Sequence, residues 1–502
     1  MALGVLSGRF QFKRATKKEW EDSNIVLLDG ELALESDTTK IKAGDGKTPY
    51  TELPYITIGS VAFDELTEED KKNLKGEKGD PFTYDDFTQK QLDQLKGEKG
   101  DALKFDDLTE EQINMLRAPV VDDLTSGGSD KALSAEQGKV LFNTIVKYHP
   151  DAAPPKVMTA VIDQSNSNPL TCITYEDDAK MMEKGSPEWD DFFQSQLVLF
   201  KDGKEVRELE DSELSGLSPS DGDVMVRFPR KGLRIKTVGE KVYVSMTDSP
   251  NYPDFKYYAH TRGDSPRDAF YLGAYLGSEE SGKLRSIIGK NPIGNKTIGS
   301  FRTIAQANGI GYEQLAFYQW TFLQAMYVLK YGNLDSQTAL GEGNTSGNGY
   351  NNVTGETNGK GVDFGSTSDA TKVRFQWVED FFGTKYQFCD GVITNNNKIW
   401  INNDNFNDTG NGYKSYEGYD INPGNPIKLV IGDSERGFIP KSGKGSASTY
   451  YCDFGSIKPG YDGIAVVGGD AGFDVRAGVF CFRADYSASY SVFSFSSRLM
   501  FL

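Results

Sequence analysis

Between residues 157 and 246 the apolar positions recur with a period near two, in VMTAVI (157–162), LVLF (197–200), VMVRF (224–228), LRIKTV (233–238) and KVYVSM (241–246). Alternation sends successive side chains to opposite faces, so these segments predict strands. KDGK (201–204) and PRKG (229–232) lie between them as hairpin signals, which predicts a compact antiparallel β module over 151–280. Further on the period changes. Leu315, Tyr318, Phe322, Met326 and Leu329 fall at helical spacing, and Phe317, Trp320 and Leu323 widen the apolar face until little is left for water. The pattern predicts one mostly buried helix from Tyr312 to Tyr331, ended by Gly332-Asn333. GEGNTSGNGYNNVTGETNGKG (341–361) has no periodicity, and loops beyond about 12–15 residues are usually functional or disordered. The rest of 281–502 predicts short strands joined by turns.

Residues 61–117 hold three copies of a 21-residue repeat, with Thr67, Thr88 and Thr109 in one register and Leu74, Leu95 and Leu116 in another. Asp70, Gln91 and Gln112 follow each Thr at i+3, the spacing of a capping box, and Gly76 and Gly97 follow a Lys where a helix would stop. Each repeat predicts a short helix, marginal alone in water and covered on its apolar stripe by something else. The links GEKGDP (76–81) and GEKGDA (97–102) are Gly-X-Y triplets; they are either polar turns or the close approach of three chains on a common axis. LSAEQGKVLFNTIVKY (133–148) carries a seam of Leu133, Val140, Leu141, Thr144, Ile145 and Tyr148, as an oligomeric helix would. Together these features predict a homotrimer with a stalk.

A chain of 502 residues fits three or four domains. Its formal charge of −18 repels phosphate backbones, so no nucleic-acid partner is expected. No run approaches the ~18–20 apolar residues of a membrane span, and the N-terminus lacks the pattern of a cleaved signal. Only two histidines, His149 and His260, are available for acid–base or metal chemistry, which argues against an enzyme. The cysteines at 172, 389, 452 and 481 show no CxxC pairing; Cys389, Cys452 and Cys481 read as small buried hydrophobes, and assembly in a reducing compartment fits. GDGKT (44–48) has Ile41 where a phosphate loop needs its first Gly, and reads as a turn. RGDSP (262–266) is either an adhesion tripeptide or an ordinary exposed turn. NNDNFND (402–408) is dense in oxygen ligands. A calcium site at Asp404, Asn407 and Asp408 and an Asn-rich turn both fit it, although Gly at the sixth position and a closing Glu are missing.

From Pro459 to Leu499 the chain has 41 residues without Lys, Glu, Gln, Met or Trp. Tyr, Phe, Ser, Gly, Ala, Asp and Arg fill the segment instead, a composition that suits binding loops because aromatic rings offer contact area at low rotamer cost. The competing reading is a buried β segment in which aromatic residues alternate with Ser.

GRFQFKRATKKEWEDSNIVLLDGELALESDTTKIKAGDGKTPYTELPYI (8–56) resembles the N-terminal module of bacteriophage tail fibres and baseplate-attached adhesins, and GSDKALSAEQGKVL (128–141) resembles a recurring stalk segment of phage fibres. Residues 281–343, WVEDFFG (377–383) and the ending SRLMFL (497–502) are similar to C-type-lectin domains of the formylglycine-generating type at the tips of phage receptor-binding proteins. In the major tropism determinant class a diversity-generating retroelement mutates adenines, which cannot produce the five missing residue types. GTKYQF (383–388) and the separation of Cys452 from Cys481 depart from the enzyme branch, so its copper-dependent oxidase activity is not expected.

The resemblance implies a multidomain α+β fold in an elongated homotrimer. Its modules would be a virion-attachment module (1–60), helical repeats with collagen-like links (61–121), an oligomeric helix (122–150), the β module (151–280) and a C-type-lectin-like head (281–502). The function implied is host attachment by a tail-tip adhesin, a virion component assembled in the host cytoplasm, with a capsule depolymerase or a purely structural fibre as alternatives. Its partners would be a host surface glycan or protein and, through 1–60, tail proteins. The receptor surface would comprise Asp470, Phe473, Asp474, Val475, Arg476, Cys481, Arg483, Asp485, Tyr486, Tyr490, Val492, Phe493 and Phe495, with no catalytic residue and no cofactor beyond structural calcium.

Overall fold

The computed structural model describes residues 13–56, the strand pairs at 120–121 and 132–133, and residues 155–502 apart from 264, 348, 418–424, 459 and 461. The repeats of 61–117, their GEKGD links and most of the helix expected at 133–148 lie outside the described residues. At 120–133, Val120–Val121 and Ala132–Leu133 pair as parallel strands. The chain divides into two compact units, 1–154 and 155–502.

In the first unit, β1 (Lys13–Ala15) pairs in parallel with β2 (Leu32–Glu35), which continues antiparallel to β3 (Ile41–Ala43) and β4 (Tyr55–Ile56). Thr16 caps helix α1 (Lys17–Ser23) through a capping box with Glu19. α1 presents Trp20, stacked on Tyr50 at 5.1 Å with its indole N–H on the Leu34 carbonyl. Buried Glu35 accepts from the Tyr50, Tyr55 and Thr38 hydroxyls, and Lys42 covers both tyrosine rings. Trp20 and Tyr50, with Leu27, Ala33 and Leu53, form the small hydrophobic core of these described residues. GDGKT is a turn: Asp45 accepts from the Lys47 and Thr48 amides and the Thr48 hydroxyl, which together hold its pKa down at about 2.

The second unit is mostly β with few helices. A four-stranded antiparallel sheet runs in the order β10 (Gly232–Val238), β11 (Lys241–Thr247), β5 (Val157–Asp163), β6 (Ile173–Asp177). A six-stranded sheet runs β8 (Lys204–Glu208), β7 (Gln196–Lys201), β9 (Asp223–Pro229), β12 (Ala269–Gly273), β18 (Leu499–Phe501), β13 (Tyr312–Gln314). KDGK turns β7 into β8, as expected. PRKG does not make a hairpin; it carries the chain from β9 in one sheet to β10 in the other. The six-stranded sheet draws strands from both sides of residue 280, and one hydrophobic core spans both, so 155–280 and 281–502 share one compact body.

At its centre is helix α2 (Phe317–Tyr331), whose residues are buried except Tyr331. It begins five residues later than its periodicity predicts. Tyr312–Gln314 instead forms the β13 ladder on the C-terminal strand, whose backbone bonds a helix there would forfeit. The helix ends on left-handed Gly332, where Lys184 donates to the Gly332 carbonyl at 2.8 Å. An eight-stranded sheet has β14 (Tyr386–Asn395) flanked by β16 (Gly463–Val467), then β17 (Phe482–Tyr486) and β15 (Phe454–Ile457). The loop 341–361 is pinned inward: Glu379 accepts from the Gly355 and Thr357 amides and the Thr357 hydroxyl.

Candidate functional site

The segment 470–495 enters the eight-stranded sheet as β17 and leaves it twice as turns, so its side chains divide by position. Cys481 is fully buried beside the Tyr386 hydroxyl, Phe495 is 2% exposed between Tyr386 and Phe388, and Phe473 is buried between Tyr386 and Phe454. Strand pairing fixes the direction of Phe495: Phe495 and Ser496 align in parallel with Tyr386 and Gln387. These three residues were expected on the receptor surface. The structure corrects that expectation; they are core.

The others reach outward. Asp474, Val475 and Arg476 form an exposed turn in which Val475 is 56% exposed, and Tyr490 and Phe493 are 38% and 50% exposed. Asp470, Arg483, Asp485, Tyr486 and Val492 are half-buried. Arg483 makes a bidentate pair with Asp485 at 3.1 and 2.9 Å, and Ser456 donates to the same carboxylate at 2.8 Å. The guanidinium faces Tyr486 at 4.5 Å, Phe454 at 5.6 Å, and Phe473 and Tyr386 at 5.9 Å, a setting in which cation–π attraction fixes a long side chain. Tyr486 and Tyr490 lie 4.4 Å apart over buried Phe495. Arg476 lies over Phe473 at 4.2 Å.

Sequence reasoning missed the side chains that hold this surface in place. Tyr350, from the aperiodic loop, meets Phe493 edge-on at 5.0 Å and lies against Gly472, which makes neighbours of the two exposed stretches. Buried Lys385 donates to the Phe493 carbonyl; burial pushes its pKa down to about 8, against the pull of Asp470. A Cβ on Gly294 would lie 2.3 Å from that same carbonyl oxygen, and the Asn295 amide donates to the Val492 carbonyl at 2.9 Å, so the 490–494 turn is clamped from several sides. The signal for Tyr350 was its loop, too long and too Gly-rich to be only a connector. Lys385, beside an apolar strand, gave none.

The remaining motifs resolve structurally. In NNDNFND the Asn407 side-chain oxygen accepts from the Thr409 and Asn411 amides, Asp408 pairs with Arg302 at 2.8 Å, and Asp404 faces Arg262 at 3.8 Å. Those oxygens face protein donors, the arrangement of an Asn-rich turn, and among the described residues no group of three acidic, His or Cys side chains could hold a metal. Arg262 of RGDSP is not displayed: it sits between Glu313 and Asp404 and over Phe406 at 5.2 Å. The four cysteines are free and buried. Among the described residues no helix is long and apolar enough to cross a membrane.

Residues 11–48 match the family model of the Major tropism determinant N-terminal domain, and residues 120–149 match that of phage tail fiber repeats. The chain is 45% identical over 49 residues to a hyaluronoglucosaminidase of Streptococcus pyogenes phage H4489A, covering 10% of this chain and 13% of that protein. It is 43% identical over 68 residues to the hyaluronoglucosaminidase of phage H10403, covering 14% and 19%. The chain thus spans less than a fifth of the length of these curated relatives. A solved structure, the Major Tropism Determinant U1 Variant, aligns over 98% of this chain and 99% of its own at 10% identity with a TM-score of 0.24.

Proposed function

We propose that this chain, a phage tail-fibre protein and virion component by its 11–48 and 120–149 segments, is a receptor-binding adhesin whose contact surface is the outward half of residues 470–493. The carrying observation is the exposure of Val475, Tyr490 and Phe493 in one segment whose Arg483–Asp485 pair and Tyr486, packed on Tyr490, are half-buried. Adjoining large apolar side chains on a surface mark sites of interaction, and aromatic anchors with orienting Arg and Asp carry most of the energy in such contacts. The missing Lys, Glu, Gln, Met and Trp of 459–499 fit an origin in adenine-directed mutagenesis, with buried Cys481, Phe473 and Phe495 as the scaffold beneath the varied residues.

In this reading residues 1–60 attach to the tail, 61–150 form the stalk of a homotrimer, and 155–502 form a lectin-type head. Three heads on one cell surface gain avidity of about 10²–10⁴ over one, so modest affinity per head suffices. The mechanism is binding without turnover, although the matched relatives are named hyaluronoglucosaminidases.

The test is a double variant, Tyr490→Ser with Phe493→Ser. Phage or purified protein carrying it should lose adsorption to host cells while its melting temperature stays within a few degrees of wild type. Phe495→Ser, in the core, should cost about 3–5 kcal/mol of stability. Retained adsorption in the double variant, or its unfolding, would refute the outward surface. Release of reducing ends from hyaluronan or host capsule would favour the depolymerase.

A further inference from the structure

We infer that the groove beside the Ser487–Ser489 turn is a subsite for a neutral sugar unit of a surface glycan, an inference that rests on the adhesin reading and narrows its ligand. The groove has a volume of about 430 Å³ and lies between the end of β14 (393–395), the start of β16 (462–464), residues 408–409 and the 487–489 turn. That volume falls within the ~300–1,000 Å³ of small-ligand clefts.

Its chemistry selects the ligand class. Ser487, Ser489, Thr409 and Asn395 offer short donors and acceptors, Asp408 and Asp462 offer carboxylates, and Ala488 supplies apolar surface beside the buried Ile393 and Ile464. A pyranose presents that same combination, hydroxyls around its edge and a C–H face. No Lys or Arg lines the groove, so its local charge opposes uronates, sialates and phosphates. One oxygen of Asp408 is engaged by Arg302, which fixes the carboxylate in place.

The walls are rigid. A Cβ on Gly463 would fall 2.1 Å from the Ala484 carbonyl oxygen, so glycine there lets β16 and β17 approach closely. The turn is closed by the Tyr490 amide on the Ser487 carbonyl at 2.9 Å, and the Ser-Ala-Ser side chains are too small to fill the space beside it. The same turn ends in exposed Tyr490, so one ligand could occupy the groove and touch the aromatic surface.

The experiment titrates full-length protein with the methyl glycosides of glucose, galactose and N-acetylglucosamine, and with methyl glucuronide, by saturation-transfer NMR and calorimetry. Wild type should bind at least one neutral glycoside and not the glucuronide. Ser489→Trp, which fills the groove, should lower that affinity at least tenfold with an unchanged melting temperature. Ser487→Ala with Ser489→Ala, which removes only hydroxyls, serves if the tryptophan disturbs folding and should weaken binding several-fold. Binding that survives both variants, a preference for the glucuronide, or no neutral glycoside bound would overturn the groove. Failure of the adhesin reading looks different: adsorption then survives Tyr490→Ser with Phe493→Ser whatever the glycosides do.

Discussion

Phe493 and Phe495 are two positions apart and should share a face in a regular strand, yet one is half exposed and the other sealed. The chain turns between them, since the Phe495 amide bonds to the Val492 carbonyl at 3.2 Å and the ladder with β14 begins only at Phe495. A single bond pattern thus separates a contact residue from a core residue. His260 makes a second residue-scale case. It is buried between Phe270 and Phe322 with Nε2 at the Pro229 carbonyl and Nδ1 without a partner. Burial, with Arg230 and Lys231 nearby, holds its pKa down at about 3. Unfolded it titrates near 6.5, so below that pH the unfolded chain takes up a proton the folded chain refuses. Its contribution is therefore complete above pH 6.5 and is lost, by about 1.4 kcal/mol per pH unit, as pH falls toward 3. Urea midpoints of wild type and His260→Gln, compared from pH 7 to 4.5, should converge as pH falls; a difference independent of pH would show that His260 does not titrate with unfolding.

At the scale of elements, the periodicity read at 157–246 places five of the seven strands observed there to within a residue, and misses β6 and β8, whose side chains are mostly exposed and so carry no apolar alternation. It could not tell that β9 and β10 belong to different sheets, since a four-residue connection reads as a hairpin whichever way the chain then turns. Nor could it find the polar bolts. Lys372 lies 3.2 Å from Glu379 and 2.9 Å from Asp380, all buried, while Arg498 donates to the carbonyls of Glu379 and Asp380 and to Gln387. These groups join the 372–380 turns to the C-terminal strand. Lys372→Met leaves two buried carboxylates without their cation and should cost about 3–5 kcal/mol in urea unfolding. A cost below about 1 kcal/mol would mean that the buried ion pairs of Lys372 do not hold these turns in place.

At the scale of the whole molecule, residues 155–502 should unfold in one transition, since β18 and β13 complete a sheet whose other strands precede residue 274. A chain ending at residue 280 should fail to give a soluble folded product, lacking both those strands and α2. A stable truncated protein with native-like circular dichroism would show instead that the first half holds a core of its own. The sequence by itself determined what neighbours along the chain decide: five strands of 157–247 and most of the central helix, the GDGKT turn, the cysteines as small apolar side chains, and the phage-fibre resemblance of 8–56 and 128–141. Tertiary structure alone decided which aromatic residues of 470–495 face solvent, that residue 280 is no boundary, and that Lys385, Tyr350 and Gly294 clamp the exposed turn. The physical reason is range. Local pattern constrains the direction of a side chain relative to its own strand, whereas burial depends on what distant segments place against it, and here those segments lie up to 200 residues away.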